Sequence, residues 1–350
     1  MTTPSTARRV LQLTLSIVVG GLCLWLAFRG VKDGAEGQNV DVSVIFNIIK
    51  AVPASAYVWF TVVFFVHTVV RVQRWRLQVR GLTGRAPGWR DALTINAFAF
   101  LAVFILPFRL GEFVRPNLCA RRGIMPASAG LASSALERVI DGLVTTALFG
   151  LLLLLAPFDL PSWVRAGGVT ALLFFSAATA LFVLAVKARS RVLPLVERLI
   201  ALVSPVVATR VMRIIDGFLD GLRCFPGFKE VVVYVLLSVA YWVLNGLGTL
   251  VIVRAIDPTA SSLAGLFCLC FLVIGVMIPA PPGNVGTFHA FAKLGLTVAG
   301  VAAVPAVASA VLLHIVATVS LIGLAGFFAI FGSIRWRDAS HSLDDTTAPG

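Results

Sequence analysis

Ile105-Leu106-Pro107-Phe108-Arg109-Leu110-Gly111-Glu112 closes the apolar stretch Ala92–Leu106 with two helix breakers and two charges. Proline lacks the N–H that a helix interior uses, and glycine readily leaves helical geometry. The same order of residue types recurs at Met277-Ile278-Pro279-Ala280-Pro281-Pro282-Gly283-Asn284, which ends the apolar stretch Leu263–Ile278. Both sites read apolar, apolar, Pro, three residues, Gly, polar. How the chain reaches and leaves them decides the fold.

The surrounding composition is that of a lipid-embedded chain. Hydrophobic residues make up 59% of the sequence and charged residues 13%, where a soluble domain carries about 25% charged. Runs long enough to cross a bilayer, about 20 apolar residues, lie near Val10–Phe28, Val52–Val70, Ile140–Ala156, Gly168–Val186, Val231–Val253 and Val304–Phe331. Val10–Phe28 reads as an uncleaved first helix, since no clean small-residue cleavage site follows it. The expected class is all-α: a polytopic membrane protein with about six full spans.

The net charge of +13 does not indicate nucleic acid, because the bases sit between the apolar runs. Bases so placed mark cytoplasmic loops. One loop holds Arg71, Arg74, Arg76, Arg80, Arg85 and Arg90, and another runs through Lys187, Arg198, Arg213 and Lys229. Arg29–Lys50, with three bases and three acids, suits the outside. The N-terminus and the Arg335–Arg337 tail then lie inside, in a cell (inner) membrane. With those loops inside, Ala92–Arg138 begins and ends inside, and Leu263–Gly300 begins and ends outside. Each is expected to be a re-entrant hairpin, the two entering from opposite faces, although two short crossings fit Leu263–Gly300 equally well. This plan is inverted-repeat-like, as in many secondary transporters. It makes one membrane domain, 1–335, with halves at about 52–186 and 231–331. An amphipathic cytoplasmic linker is expected at 187–229 and a disordered tail at 336–350.

Irregular backbone inside a membrane needs protein or water to satisfy it, so the two tips imply a cavity. At the first tip Arg109, Glu112 and Arg115 are spaced three apart and share one side of a short helix. Glu137, Arg138 and Asp141 follow at the start of the next span, with Arg138 in reach of Asp141. One reading is an internal salt-bridge lock. The other has Arg109 and Arg115 holding an anionic group, with the acids balancing them. At the second tip, Pro282, Gly283, Asn284 and Gly286 lead into an apolar helix that Asn284 or Thr287 caps. Its N-terminus would suit phosphate, or the glycines serve packing alone. His289 sits one turn in, either as a proton relay or as a core histidine, and His314 reads as structural. Tyr241, Trp242 and Asn245 fall mid-helix, with Asn245 bonding a neighbouring helix, while Trp75 and Trp89 fit an interfacial belt. Five scattered cysteines form neither a disulfide framework nor a zinc site. No nucleophile elbow or Walker loop is present, so neither catalysis, metal nor cofactor is expected.

Together Asn96, Leu106-Pro107-Phe108-Arg109-Leu110-Gly111-Glu112, Arg115, Glu137-Arg138-x-x-Asp141 and Pro279-x-x-Pro282-Gly283-x-x-Gly286 resemble the flippase-like family, also called the lysylphosphatidylglycerol synthase transmembrane family. The resemblance runs from about residue 10 to 335. It implies movement of lipids or lipid-linked groups between leaflets. Some members carry a soluble synthase domain, and the chain's end shortly after its last span leads us to expect none here. Many members place Glu where His289 stands, a departure at a position that bears on coupling. The expected function is a flippase for an anionic phospholipid or lipid-linked head group. The alternative is a membrane-embedded enzyme or accessory subunit of lipid-linked glycan or envelope synthesis. The expected partner is the membrane lipid or lipid-linked substrate, and a homo-oligomer is compatible with this.

Overall fold

The computed structural model describes residues 42–156, 160–187, 227–277 and 282–332 continuously, and scattered positions within 18–39 and 193–225. Most of the Val10–Phe28 span, most of the 187–229 linker and the 336–350 tail lie outside the described residues, as do Pro279 and Pro281.

After a two-residue antiparallel ladder, Lys32–Asp33 with Gln38–Asn39, helices α1 (Val42–Lys50) and α2 (Ala54–Thr83) open the fold. Next come α3 (Trp89–Ile105), a 3-10 helix (Pro107–Phe113), α4 (Val114–Arg121) and α5 (Ala127–Leu155), followed by α6 (Ser162–Lys187). The second part comprises α7 (Phe228–Ile256), α8 (Ala264–Met277), a 3-10 turn (Pro282–Asn284), α9 (Thr287–Val298) and α10 (Ala303–Phe331). Among the described residues, five helices are long and apolar enough to cross a membrane, namely α2, α5, α6, α7 and α10. The protein is therefore an all-α polytopic membrane protein.

The two parts repeat one plan: long helix, short helix, 3-10 break, short helix, long helix. The long helices that open each part pack antiparallel. Val63 meets Gly248, His67 meets Tyr241, and Gln78 bonds Tyr234, so the residue numbers run in opposite senses. Each closing helix packs on the other part's hairpin. In one such pair Phe104 of α3 meets His314 of α10, while Arg90 bonds the carbonyl of Phe331. In the other, Phe149 of α5 stacks edge-on with Phe267 of α8. Small residues permit the closest approaches, as is common where apolar helices meet in lipid. A Cβ on Gly265 would lie 2.2 Å from the Gly246 carbonyl oxygen, across the α7–α8 contact.

Several expected boundaries move. The second span starts at Ala54 and continues past Val70 to Thr83, so Arg71, Arg74, Arg76 and Arg80 are helical and not in a loop. Only there does Gly84, at φ 76°, take the left-handed conformation that ends a helix. The helix persists because its polar last turns lie among other helices: Arg74 and Gln78 are buried. Likewise α5 begins at Ala127, so Glu137, Arg138 and Asp141 stand well inside it and not at its start. Trp75 is 1% exposed, a core residue and no part of a belt. Trp89 is exposed and stacks under the Arg76 guanidinium at 4.1 Å.

Candidate functional site

Both hairpin tips reach the middle of the long helices. Glu112 approaches Arg138 at 3.4 Å, and the Nε2–H of His314 donates to the Gly283 carbonyl at 2.7 Å. Arg138 is eleven residues from the start of α5, and His314 eleven from the start of α10, or about 16 Å along each helix at 1.5 Å per residue. The tips also meet each other. An added Cβ on Gly283 would stand 3.5 Å from the Phe104 ring.

Behind the first tip, five ionisable side chains, Arg74, Arg115, Glu137, Asp141 and Tyr234, are hydrogen-bonded. Arg115 donates to Glu137 Oε2 at 2.6 Å, to Ser134 at 2.9 Å and to Asn96 at 3.4 Å. Arg74 donates to Asp141 Oδ1 and, at 3.2 Å, to the Tyr234 hydroxyl. Trp242 Nε1 donates to the same Asp141 oxygen at 3.1 Å. Gln78 ties Tyr234 to Ser133. This network lies in low-dielectric surroundings, where a charge persists only when paired and hydrogen-bonded. The expected pairing of Arg138 with Asp141 is therefore replaced: Arg138 goes to Glu112, and Asp141 goes to Arg74. Partners 67 residues apart in sequence take precedence over neighbours on one helix.

In front of the network lies a cavity of about 720 Å³, within the range of small-molecule sites. Its wall is mostly apolar, with Phe60, Phe64, Phe104, Phe174 and Phe288 among its residues. Four charged side chains reach it: Arg71, Glu112, Arg138 and Asp141. The Arg71 guanidinium carbon lies over the Phe100 ring at 3.4 Å from its centre, and its Nε stays 3.9 Å from Glu137 Oε1. Neither Arg71 nor Arg138 donates a hydrogen bond within the described residues. Each guanidinium carries five N–H donors, so both retain unused capacity facing the cavity.

The residues expected to form the site thus separate. Glu112, Arg138, Asp141 and Asn284 line the cavity. Asn96, Arg115 and Glu137 stand behind it and brace the first tip, so Arg115 is committed to protein partners. Arg109 lies in the 3-10 helix, and its side chain is outside those described. Pro282 and Gly283 form the second tip, but Gly286, Thr287 and His289 sit beneath it. Gly286 itself caps α9, with its N–H given to His289 Nδ1 at 3.4 Å, and neither the Asn284 nor the Thr287 side chain does so. A Cβ on Gly286 would lie 1.9 Å from the Gly20 carbonyl oxygen. Backbone therefore covers one side of that helix end, and Gly286, Thr287 and His289 are not in the cavity wall, although Asn284 and Phe288 beside them are. Asn245 lines the cavity and, among the described residues, makes no side-chain bond to a neighbouring helix.

The family model described as the lysylphosphatidylglycerol synthase TM region matches residues 13–326. The chain belongs to this family. No match was found among curated proteins or solved structures. The matched stretch contains the whole cavity wall, Phe60 to Leu324, so the cavity belongs to the family's own region. Membership makes this a multi-pass membrane protein from a family related to phospholipid handling. Arg71, Arg74 and Tyr234 were missed from sequence. The only local signal of the two arginines was a basic run that the positive-inside pattern already explained, and Tyr234 stands in an apolar run that gave none.

Proposed function

We propose that this protein moves an anionic phospholipid, or a lipid-linked head group, between leaflets without changing it chemically. The observation that carries this is the pair Arg71 and Arg138: two guanidinium groups with unused donors, facing a mostly apolar cavity between two helix breaks. Guanidinium matches phosphate oxygens in geometry and charge. An empty apolar cavity alone needs no cation, and an ion-pair lock alone needs no cavity.

In this reading the two hairpins are re-entrant. Their short arms favour it: α8 has 14 residues and α9 has 12, about 21 and 18 Å, against a hydrocarbon core of about 30 Å. The termini are cytoplasmic in a cell membrane, since Arg76, Arg80, Arg85 and Arg90 gather where α2 ends and α3 begins. Glu112 holds Arg138 until a head group takes its place.

The test is transport in reconstituted liposomes with fluorescent phosphatidylglycerol. We expect Arg71→Gln with Arg138→Gln to slow flipping at least tenfold while thermal stability in detergent stays near wild type. An unchanged rate refutes the assignment. A changed lipid product in detergent, where no leaflets exist, favours a membrane-embedded enzyme instead.

A further inference from the structure

The cavity is longer than a head group requires, and its wall changes character along its length. On α2 it runs from Arg71 through His67 and Phe64 to Phe60. That is eleven residue steps along one helix, or about 16 Å. On the antiparallel α7 the matching side runs from Tyr241 and Trp242, beside the ions, to Gly248 and Thr249, beside Phe60 and Val63. One end is thus ionic and the other is a mostly apolar arm, interrupted by Thr68, Asn245 and Thr249. Both belong to one continuous cavity.

We infer that a hydrocarbon chain of the substrate lies inside this arm, with its phosphate at Arg71 and Arg138, so that the ligand is recognised as a whole amphiphile. The inference rests on the proposed function for the phosphate end and adds the tail. Two observations select this occupant. A compartment walled mainly by Phe60, Val63, Phe64, Leu269, Leu272 and Val273 gains far more from hydrocarbon than from a polar solute. Its continuity with the guanidinium groups requires a ligand carrying both characters in one molecule. A head-group-only site would leave the arm without a purpose in binding. The Gly248 contact shows how tightly the arm is bounded, since a Cβ there would press on Val63 at 3.3 Å.

The experiment uses the full chain in lipid nanodiscs and a series of n-alkyl phosphates from ethyl to dodecyl, with binding read by calorimetry. Each methylene buried in the arm raises affinity about three- to fourfold, until the arm is full. Partition into the surrounding lipid also favours longer chains, so the decisive comparison is with Val63→Trp, which narrows the arm. We expect this variant to bind ethyl phosphate as wild type does and dodecyl phosphate at least thirtyfold more weakly. Leu272→Trp serves the same purpose from the opposite wall and should give the same chain-length-dependent loss if Val63→Trp does not fold. Equal binding of dodecyl phosphate to wild type and to a folded arm variant overturns the tail site and leaves the phosphate site standing. If Arg71→Gln also leaves ethyl phosphate binding unchanged, the phosphate reading itself fails.

Discussion

The two hairpin tips occupy equivalent places in the repeat yet are held by different forces. The first is a regular 3-10 helix running directly into α4, braced by ions: Glu112 to Arg138 and Arg115 to Glu137. The described part of the second, 282–287, carries no charge and depends on backbone conformation. Gly283, Asn284 and Gly286 take φ values of 76°, 54° and 91°, a region that glycine enters freely and asparagine tolerates. Neutral bonds from His314 and to His289 then fix the turn. The comparison teaches that one geometry, a chain reversing at the level of helix midpoints, can be secured by charge or by glycine. Among the described residues, only the charged solution leaves cations beside the cavity, so the proposed ligand-facing chemistry belongs to the first half.

The sharpest way to break this comparison is to remove an ion behind the first tip. Glu137→Ala leaves Arg115, 8% exposed, without its carboxylate, and loss of one partner of a buried pair costs about 3–5 kcal/mol. We expect a large fall in the detergent melting temperature. A small change would show that Asn96 and Ser134 suffice for Arg115. Glycine substitutions come next. Gly111→Ala puts a methyl 2.1 Å from the Val103 backbone nitrogen, and should cost about 3 kcal/mol by overpacking. Gly283→Ala meets the Phe104 ring at 3.5 Å and Val285 at 3.6 Å, both ordinary contacts, and bears the left-handed strain alone, about 1–2 kcal/mol. Measured by denaturant titration, the reverse order would end the distinction between a packed first tip and a strained second one. The smallest effect is His314→Ala, which removes one hydrogen bond at the second tip, worth about 1 kcal/mol. Amide exchange should rise within 282–287 and stay unchanged at 107–113.

Much of this was legible in the sequence, for reasons that differ between elements. Spans are set by the length of apolar runs, a local property, so α6, α7 and α10 appear close to where they were read. The breaks at Leu106–Pro107 and around Pro282 were legible because proline and glycine act on their own backbone. The end of α2 was not, because Arg71–Thr83 looks like a polar loop until burial against α5 and α7 makes it a helix. The pairing of Arg138 was misread for the same reason: helical spacing offers Asp141, while the folded chain offers Glu112.

The sequence by itself determined the membrane class, the repeated plan of breaks and the identity of the ionisable residues near the first tip, since each depends on residue type over a short stretch. The tertiary structure alone decided which charges cancel and which remain available. Arg115 and Arg74 pair with Glu137 and Asp141 away from the cavity wall, Arg74 with its Nε and Nη1 buried and unpaired, whereas Arg71 rests on the Phe100 ring at that wall with donors to spare. Electrostatic partners in low dielectric are chosen by distance in space, and that distance is set by how helices 67 to 160 residues apart come to pack.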